Sequence, residues 1–169
     1  SLNEEIYGPV LDCLADYVAK SIGQIEEELS SRSTNDQSGF EFPQLLQAVL
    51  ALVGSGQVHS AQLDTGTSHA AERSEKLNIA LCNKARSSND IPYLSSPVTG
   101  GGLLVDRFEQ MFVAAMKHGA TTSDALARSV WDILDAQGQK IVQDGTRLDS
   151  TEDNLKDLME RAETFLDFR

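Results

Sequence analysis

The feature that most constrains this sequence is a helical apolar period that persists through its last third. Phe108, Met111, Phe112, Ala115 and Met116 recur at i, i+3, i+4, i+7 and i+8, which is one face of a helix. Asp106 and Glu109 stand ahead of them with capping-box spacing, Asp replacing the usual Ser or Thr. His118-Gly119 closes that helix. Thr121 or Thr122 opens the next, predicted to run through Leu126, Val130, Ile133, Leu134 and Ile141 to Gly145. Ser150 caps a last helix, with Glu152 and Asp153 at its positive end. Its stripe is Leu155, Leu158, Met159, Ala162, Phe165 and Leu166. Met and aromatic stripes at this spacing line cores.

Upstream, residues 3–15 pattern as a helix capped by Asn3, with Pro9 near its start. Tyr17-Val18-Ala19 is a short β-prone piece. Ser21 caps a second helix carrying Ile22, Ile25 and Leu29, and residues 30–39 read as a mobile polar loop. Phe42 to Val53 is a third helix, with Leu45, Leu46, Val49, Leu50 and Val53 as its buried stripe and Gly54-Ser55-Gly56 as its stop. Gln57 to Leu63 alternates like a strand. This order is that of a winged helix. The expected fold is therefore mainly α. A winged-helix-like unit with a short β-wing spans 2–65, and a helical unit of about four helices spans 70–169. A Gly/Thr/Ser linker over 64–70 joins them. Ala71 to Arg86 is helical, with Leu77, Ala80, Leu81 and Ala85 on one face. Residues 91–105 form an extended loop rich in Pro and Gly yet apolar, and such loops pack on something.

Charge then narrows the function. The net charge is −12 and the pI about 4.5, so phosphate backbones and anionic membranes are poor partners. The third helix would be the recognition helix of a DNA-binding winged helix, and it has no Lys or Arg to neutralise phosphate. No apolar run is long enough to span a bilayer. Cys13 and Cys82 lie in helical apolar patterns without metal or redox spacing, which predicts reduced core thiols and a cytoplasmic setting. The chain starts at Ser1 without Met and ends within a helical pattern, which predicts a piece of a longer protein.

Motifs that carry chemistry are incomplete. Thr99-Gly-Gly-Gly102 precedes a helix like a phosphate loop, yet no Lys follows, and Asp106 would repel an anion. Three glycines also suit a tight turn or a close backbone approach. His59, His69 and His118 lack metal-ligand spacing, so no metal is expected. Glu26-Glu27-Glu28 reads as a solvated helix face. Ser95 and Ser96 lack a GxSxG context. No GxGxxG follows a strand. No catalytic residue is assigned, and the chain is read as non-enzymatic.

The run Ser96-Pro-Val-Thr-Gly-Gly-Gly-Leu-Leu-Val-Asp-Arg-Phe-Glu-Gln110 resembles the C-terminal region of bacterial AdoMet-dependent methyltransferases that carry a methyltransferase regulatory domain, a group that includes protein lysine methyltransferases. The resemblance continues through Val130-Trp-Asp-Ile-Leu134, Gln137-Gly-Gln139, Glu152-Asp-Asn-Leu155 and Phe165-Leu166. Upstream, Leu46 to Ser60, with Gly56-Gln-Val-His59, looks like the family's winged-helix segment. The AdoMet-binding domain of such proteins lies N-terminal to this region. The resemblance implies a regulatory or protein-substrate-recognition role. The partners would be the chain's own catalytic domain and a protein substrate, with no nucleic acid and no membrane, and a homodimer through the parent protein is left open. No cofactor is implied for this chain itself; S-adenosylmethionine is implied for the parent enzyme. The interaction loop would be Ser96, Pro97, Thr99, Gly100, Gly101, Gly102 and Arg107, with Arg107 available to a carboxylate. The alternative is a winged-helix, transcription-type module that binds DNA or protein.

Overall fold

A computed structural model of the chain describes residues 4–32, 41–62 and 64–167. Among the described residues it is mainly α-helical, with seven helices and two small two-stranded sheets. The chain divides into two compact units, Ser1–Ala61 and Gln62–Arg169.

The first unit has α1 (Glu4–Leu14), α2 (Ile22–Arg32) and α3 (Phe42–Gly54). Val10, Cys13, Ile25, Leu29, Leu45, Ala48 and Leu52 form its core. The sequence places the cap of α2 correctly: Ser21 Oγ accepts from Gln24 N–H, and Gln24 Oε1 accepts from Ser21 N–H at 2.8 Å. Lys20 ties α1 to α2. Its ammonium donates to the Cys13 carbonyl and meets the carboxylates of Asp16 and Glu28, each at 2.9 Å. α2 runs to Arg32, so residues 30–32 are helix rather than loop; the expected mobile loop over 33–39 lies outside the described residues, as does the Asn3 cap.

Three expectations for this unit are corrected. The buried line of α3 is Leu45, Ala48 and Leu52, while Leu50 and Val53 are exposed. The helix is apolar on nearly every side, so periodicity could not choose its inner face. The β-wing is also missing from residues 57–62, and residue 63 lies outside the described residues. Gly56 takes a left-handed φ of 75°, and the N–H groups of Gln57 and Val58 both close on the Leu52 carbonyl. The segment is spent ending α3, and Val58 packs on the helical core. Tyr17-Val18-Ala19 is likewise not a strand.

The second unit has α4 (Asp64–Ala85), β1 (Tyr93–Ser96), β2 (Gly101–Leu104), α5 (Arg107–Lys117), α6 (Ser123–Ala136), β3 (Val142–Gln143), β4 (Thr146–Arg147) and α7 (Thr151–Asp167). Met111, Phe112, Leu126, Val130, Trp131, Leu134, Leu158 and Ala162 fill its core. Phe112 and Phe165 meet at 5.6 Å between centroids. Asp106 and Glu109 form the expected capping box on α5, and Thr122 caps α6.

Three further corrections belong here. Residues 64–70 are not a linker but the first turns of α4. Gly, Thr and Ser cost helix propensity of at most about 1 kcal/mol each, and the helix they begin is held further along by the bonds of Ser74 and Asn78 to Ser95. The inward line of α4 is Ser74, Cys82 and Ala85; Leu77 stays half exposed. Finally, α6 stops at Ala136 rather than continuing to Gly145. Gly138 has φ 65°, and residues 142–147 turn back as a hairpin through Asp144-Gly145, both at positive φ.

Candidate functional site

Six of the seven residues singled out by sequence, all but Arg107, lie on one hairpin. Ser96 ends β1 opposite Gly101, and Gly102 faces Ser95 across the ladder. Pro97, Val98, Thr99 and Gly100 make the turn between them. Gly100 has φ 72°, and its N–H donates to the Ser96 carbonyl at 2.9 Å while Thr99 N–H donates to Ser96 Oγ at 3.2 Å. The Thr99 hydroxyl is buried without a partner among the described residues. The glycines have separate reasons. A methyl on Gly100 would overlap the Gln62 side-chain amide, and one on Gly102 would sit 3.5 Å from Tyr93 Cβ, in ordinary contact. Gln62 N–H also donates to the Val98 carbonyl at 2.7 Å.

The inner edge of the hairpin is fixed to α4. Asn78 accepts from Ser95 N–H at 2.7 Å and donates to its carbonyl at 2.8 Å. Ser95 Oγ donates to Ser74 Oγ at 3.0 Å. The base is held from α5: the Gln110 amide, buried, donates to the carbonyls of Ile91 and Val105 at 2.8 and 2.9 Å. On the other edge β2 pairs with no further strand among the described residues. Ile91, Tyr93, Val98 and Leu104 stand out from this hairpin, Leu104 at 73% exposure.

Arg107 sits apart from the turn and serves the helices. Its guanidinium donates to the carbonyls of Ala85 and Arg86 at 2.7 and 3.0 Å and to Gln139 Oε1 at 2.9 Å. Gln137 donates to the same Arg86 carbonyl. These carbonyls end α4, where a cation meets the negative pole of the helix. Three bonds leave two of the five guanidinium N–H donors for anything else. The Asp-Arg-Phe-Glu-Gln run is thus assigned residue by residue. Asp106 and Glu109 cap α5, Arg107 caps α4, and Gln110 clamps the hairpin. Phe108 packs on the core, with Arg161 5.0 Å from its ring centroid.

Sequence reasoning missed Gln62, Ser74 and Asn78, because nothing in their local pattern points to a partner 17 to 36 residues away. It also missed two concavities. One, about 370 Å³, runs between α4 and α5 and is lined by Ile79, Cys82, Val113 and Ala114, with Lys117 and His118 among the rest. Burial pushes the Cys82 thiol above its usual range, with nearby Lys117 opposing, so the thiol stays protonated and a poor nucleophile near neutral pH. Burial does the same to Cys13, and both cysteines are free. The other concavity, about 300 Å³ and open, lies beside the hairpin against His69, Arg73, Ser74 and Ser95. Among the described residues no bond joins His69 to either hydroxyl, so no nucleophile–base pair is assembled there.

Among the described residues no group of three or more His, Cys, Asp or Glu is placed to hold a metal ion, and no helix is long and apolar enough to cross a membrane.

No family model matches the chain, and no solved structure matches it. The chain is similar to an uncharacterized protein of Synechocystis sp., sll1526, at 27% identity over 164 residues. The match covers 97% of this chain and 30% of that relative, so the chain spans less than a third of the relative's length.

Proposed function

We propose that this chain is a non-catalytic contact region of a larger protein, a regulatory or protein-substrate-recognition domain of an AdoMet-dependent methyltransferase that acts on protein, lysine included. The observation that carries the contact role is the β1–β2 hairpin. It displays Ile91, Tyr93, Val98 and Leu104 to solvent while Asn78, Ser74 and Gln110 hold it rigidly from behind. Exposed apolar side chains on a preorganised element suit protein contact. The outer edge of β2, bare at Gly101 and Gly102, suits addition of an extended segment. The length of the relative supports a place within a longer polypeptide. The link to methyltransferases rests on the resemblance of residues 96–110.

Calorimetric titration with AdoMet of the full-length Synechocystis relative, and of its matched segment alone, tests this. Binding by the full-length protein only is the expected result. Binding by the segment overturns the non-catalytic role, and no binding by either overturns the link to methyltransferases.

A second reading has its own observation. α5, α6 and the β3–β4 hairpin follow one another in the order of a helix-turn-helix and its wing, displaced from the 2–65 region where sequence suggested it. The solvent side of α6 carries Asp132 and Asp135, and its Arg128 is held by Asp124 at 2.9 Å. Such a surface repels phosphate, so this order serves protein contact better than DNA. A salt-sensitive mobility shift with duplex DNA at low ionic strength would reverse that preference.

A further inference from the structure

The outer face of α3 is apolar and, among the described residues, has no partner within its unit. Phe42, Leu46, Leu50 and Val53 are spaced i, i+4, i+8 and i+11, which sets them on one side of the helix. Phe42 is 48% exposed, Leu50 63% and Val53 39%, with Leu46 half-buried between them. The opposite line, Leu45, Ala48 and Leu52, fills the core. From Phe42 to Gly54 there is no charged residue. A solvated helix ordinarily turns charged side chains to water, and this one turns leucine and phenylalanine.

The charge of the unit that carries this face selects its partner. Residues 1–61 carry nine carboxylates and two cations. Both cations are engaged: Lys20 by Asp16 and Glu28, Arg32 by Glu28. Glu41, at the entry to α3, is exposed. A second copy would bring the same negative excess against it, and like charges at a rim oppose association. A partner with an apolar stripe and basic flanks gains at both places.

We infer that the α3 face docks an amphipathic helix whose apolar stripe lies on Phe42, Leu46, Leu50 and Val53 and whose flanks carry Lys or Arg. The partner helix buries its stripe against α3, and its flanks answer the carboxylates. The inference does not depend on the role of the β1–β2 hairpin.

Fluorescence anisotropy on the full chain tests this. The probes are a labelled 18-residue amphipathic peptide of Leu and Lys and its counterpart of Leu and Glu. The Leu/Lys peptide is expected to bind, more weakly as salt rises, and the Leu/Glu peptide to bind at least tenfold less. Leu50→Gln and Val53→Thr lie on the solvent side and leave the net charge at −12; each should weaken the Leu/Lys peptide at least fivefold. Binding unchanged in both variants would mean diffuse charge attraction and overturns the inference. So does equal binding of the two peptides, or none. Sedimentation showing a dimer that Leu50→Gln dissolves also overturns it, in favour of a second copy.

Discussion

The second unit contains two β-hairpins built on one plan and finished differently. Each is followed by a helix whose first or second turn supplies a buried carboxamide to its base. Gln110 of α5 holds the carbonyls of Ile91 and Val105 beneath β1–β2. Asn154 of α7 accepts from Ile141 N–H at 2.9 Å and donates to the carbonyls of Leu148 and Ser150 at 2.7 Å, beneath β3–β4. The two then diverge. β3–β4 is closed by a two-residue turn and exposes both strands. β1–β2 has a longer turn, lies on α4, and threads the Gln62 side chain across Gly100. A hairpin can thus be set by local turn chemistry above a fixed base, or by long-range contacts along its edge. The second kind gives a broad apolar surface a fixed shape.

The comparison can be broken at several points. The core both hairpins stand on sets the scale. Phe112 is fully buried, so Phe112→Ala should cost about 3–5 kcal/mol in denaturant melts; Phe165, only partly buried, should cost less. A loss below about 1 kcal/mol at Phe112 would mean the helix faces are wrongly placed. Asn154→Ala should come next, about 2–4 kcal/mol, because it orphans a buried N–H and removes bonds from two carbonyls. Gln110→Ala should cost about 1–3 kcal/mol, since it releases two carbonyls of a more exposed base. If the two clamp variants reverse their order, the bases are not equivalent in the way proposed.

Gly100→Ala and Gly145→Ala separate turn strain from packing. Both residues have left-handed φ, 72° and 79°, which costs alanine about 1–2 kcal/mol. A methyl at Gly145 meets open space, whereas one at Gly100 must displace Gln62. The Gly100 variant should therefore be the more destabilising, and faster amide exchange at Gln62 should mark it. Equal losses would show that Gln62 adds nothing.

The smallest effect is expected in the first unit, as a pH dependence. The hydrogen bond from Lys20 holds the Glu28 carboxyl below its usual range, and the Val18 N–H, then Lys20, do the same for Asp16. A depressed folded pKa gives stability that is present above the unfolded value and is lost as pH falls through the folded one. Both carboxyls are solvent-accessible, so the loss should be slight and screened by salt. Glu28→Gln should flatten the acid limb of a urea-melt series without moving the neutral plateau far.

Helix existence was largely legible in the sequence, because caps and stripes are local signals. Ser21, Asp106 and Thr122 all cap where their spacing says. The 142–147 hairpin carries a turn signal of its own, Asp-Gly between short β-prone pairs, but Ile141 fits the helical stripe equally well, so the pattern points to helix as far as Gly145. What could not be read were the inner faces of α3 and α4. In α3 nearly every face is apolar, and in α4 part of the inward contact is polar, Ser74 and Asn78 against Ser95. Nothing within the Ser96–Gln110 run shows that Arg107 and Gln110 are directed inward, because their partners at 85, 86, 91 and 139 are distant in sequence.

One contact also bears on mechanics. The backbone enters the second unit at Gln62, and its first bond there is Gln62 N–H to the Val98 carbonyl at the hairpin tip. Tension applied to the chain upstream is therefore borne at the turn between Pro97 and Gly100 before α4 carries it. A load on the preceding segment would then register first as a change in the shape of that turn.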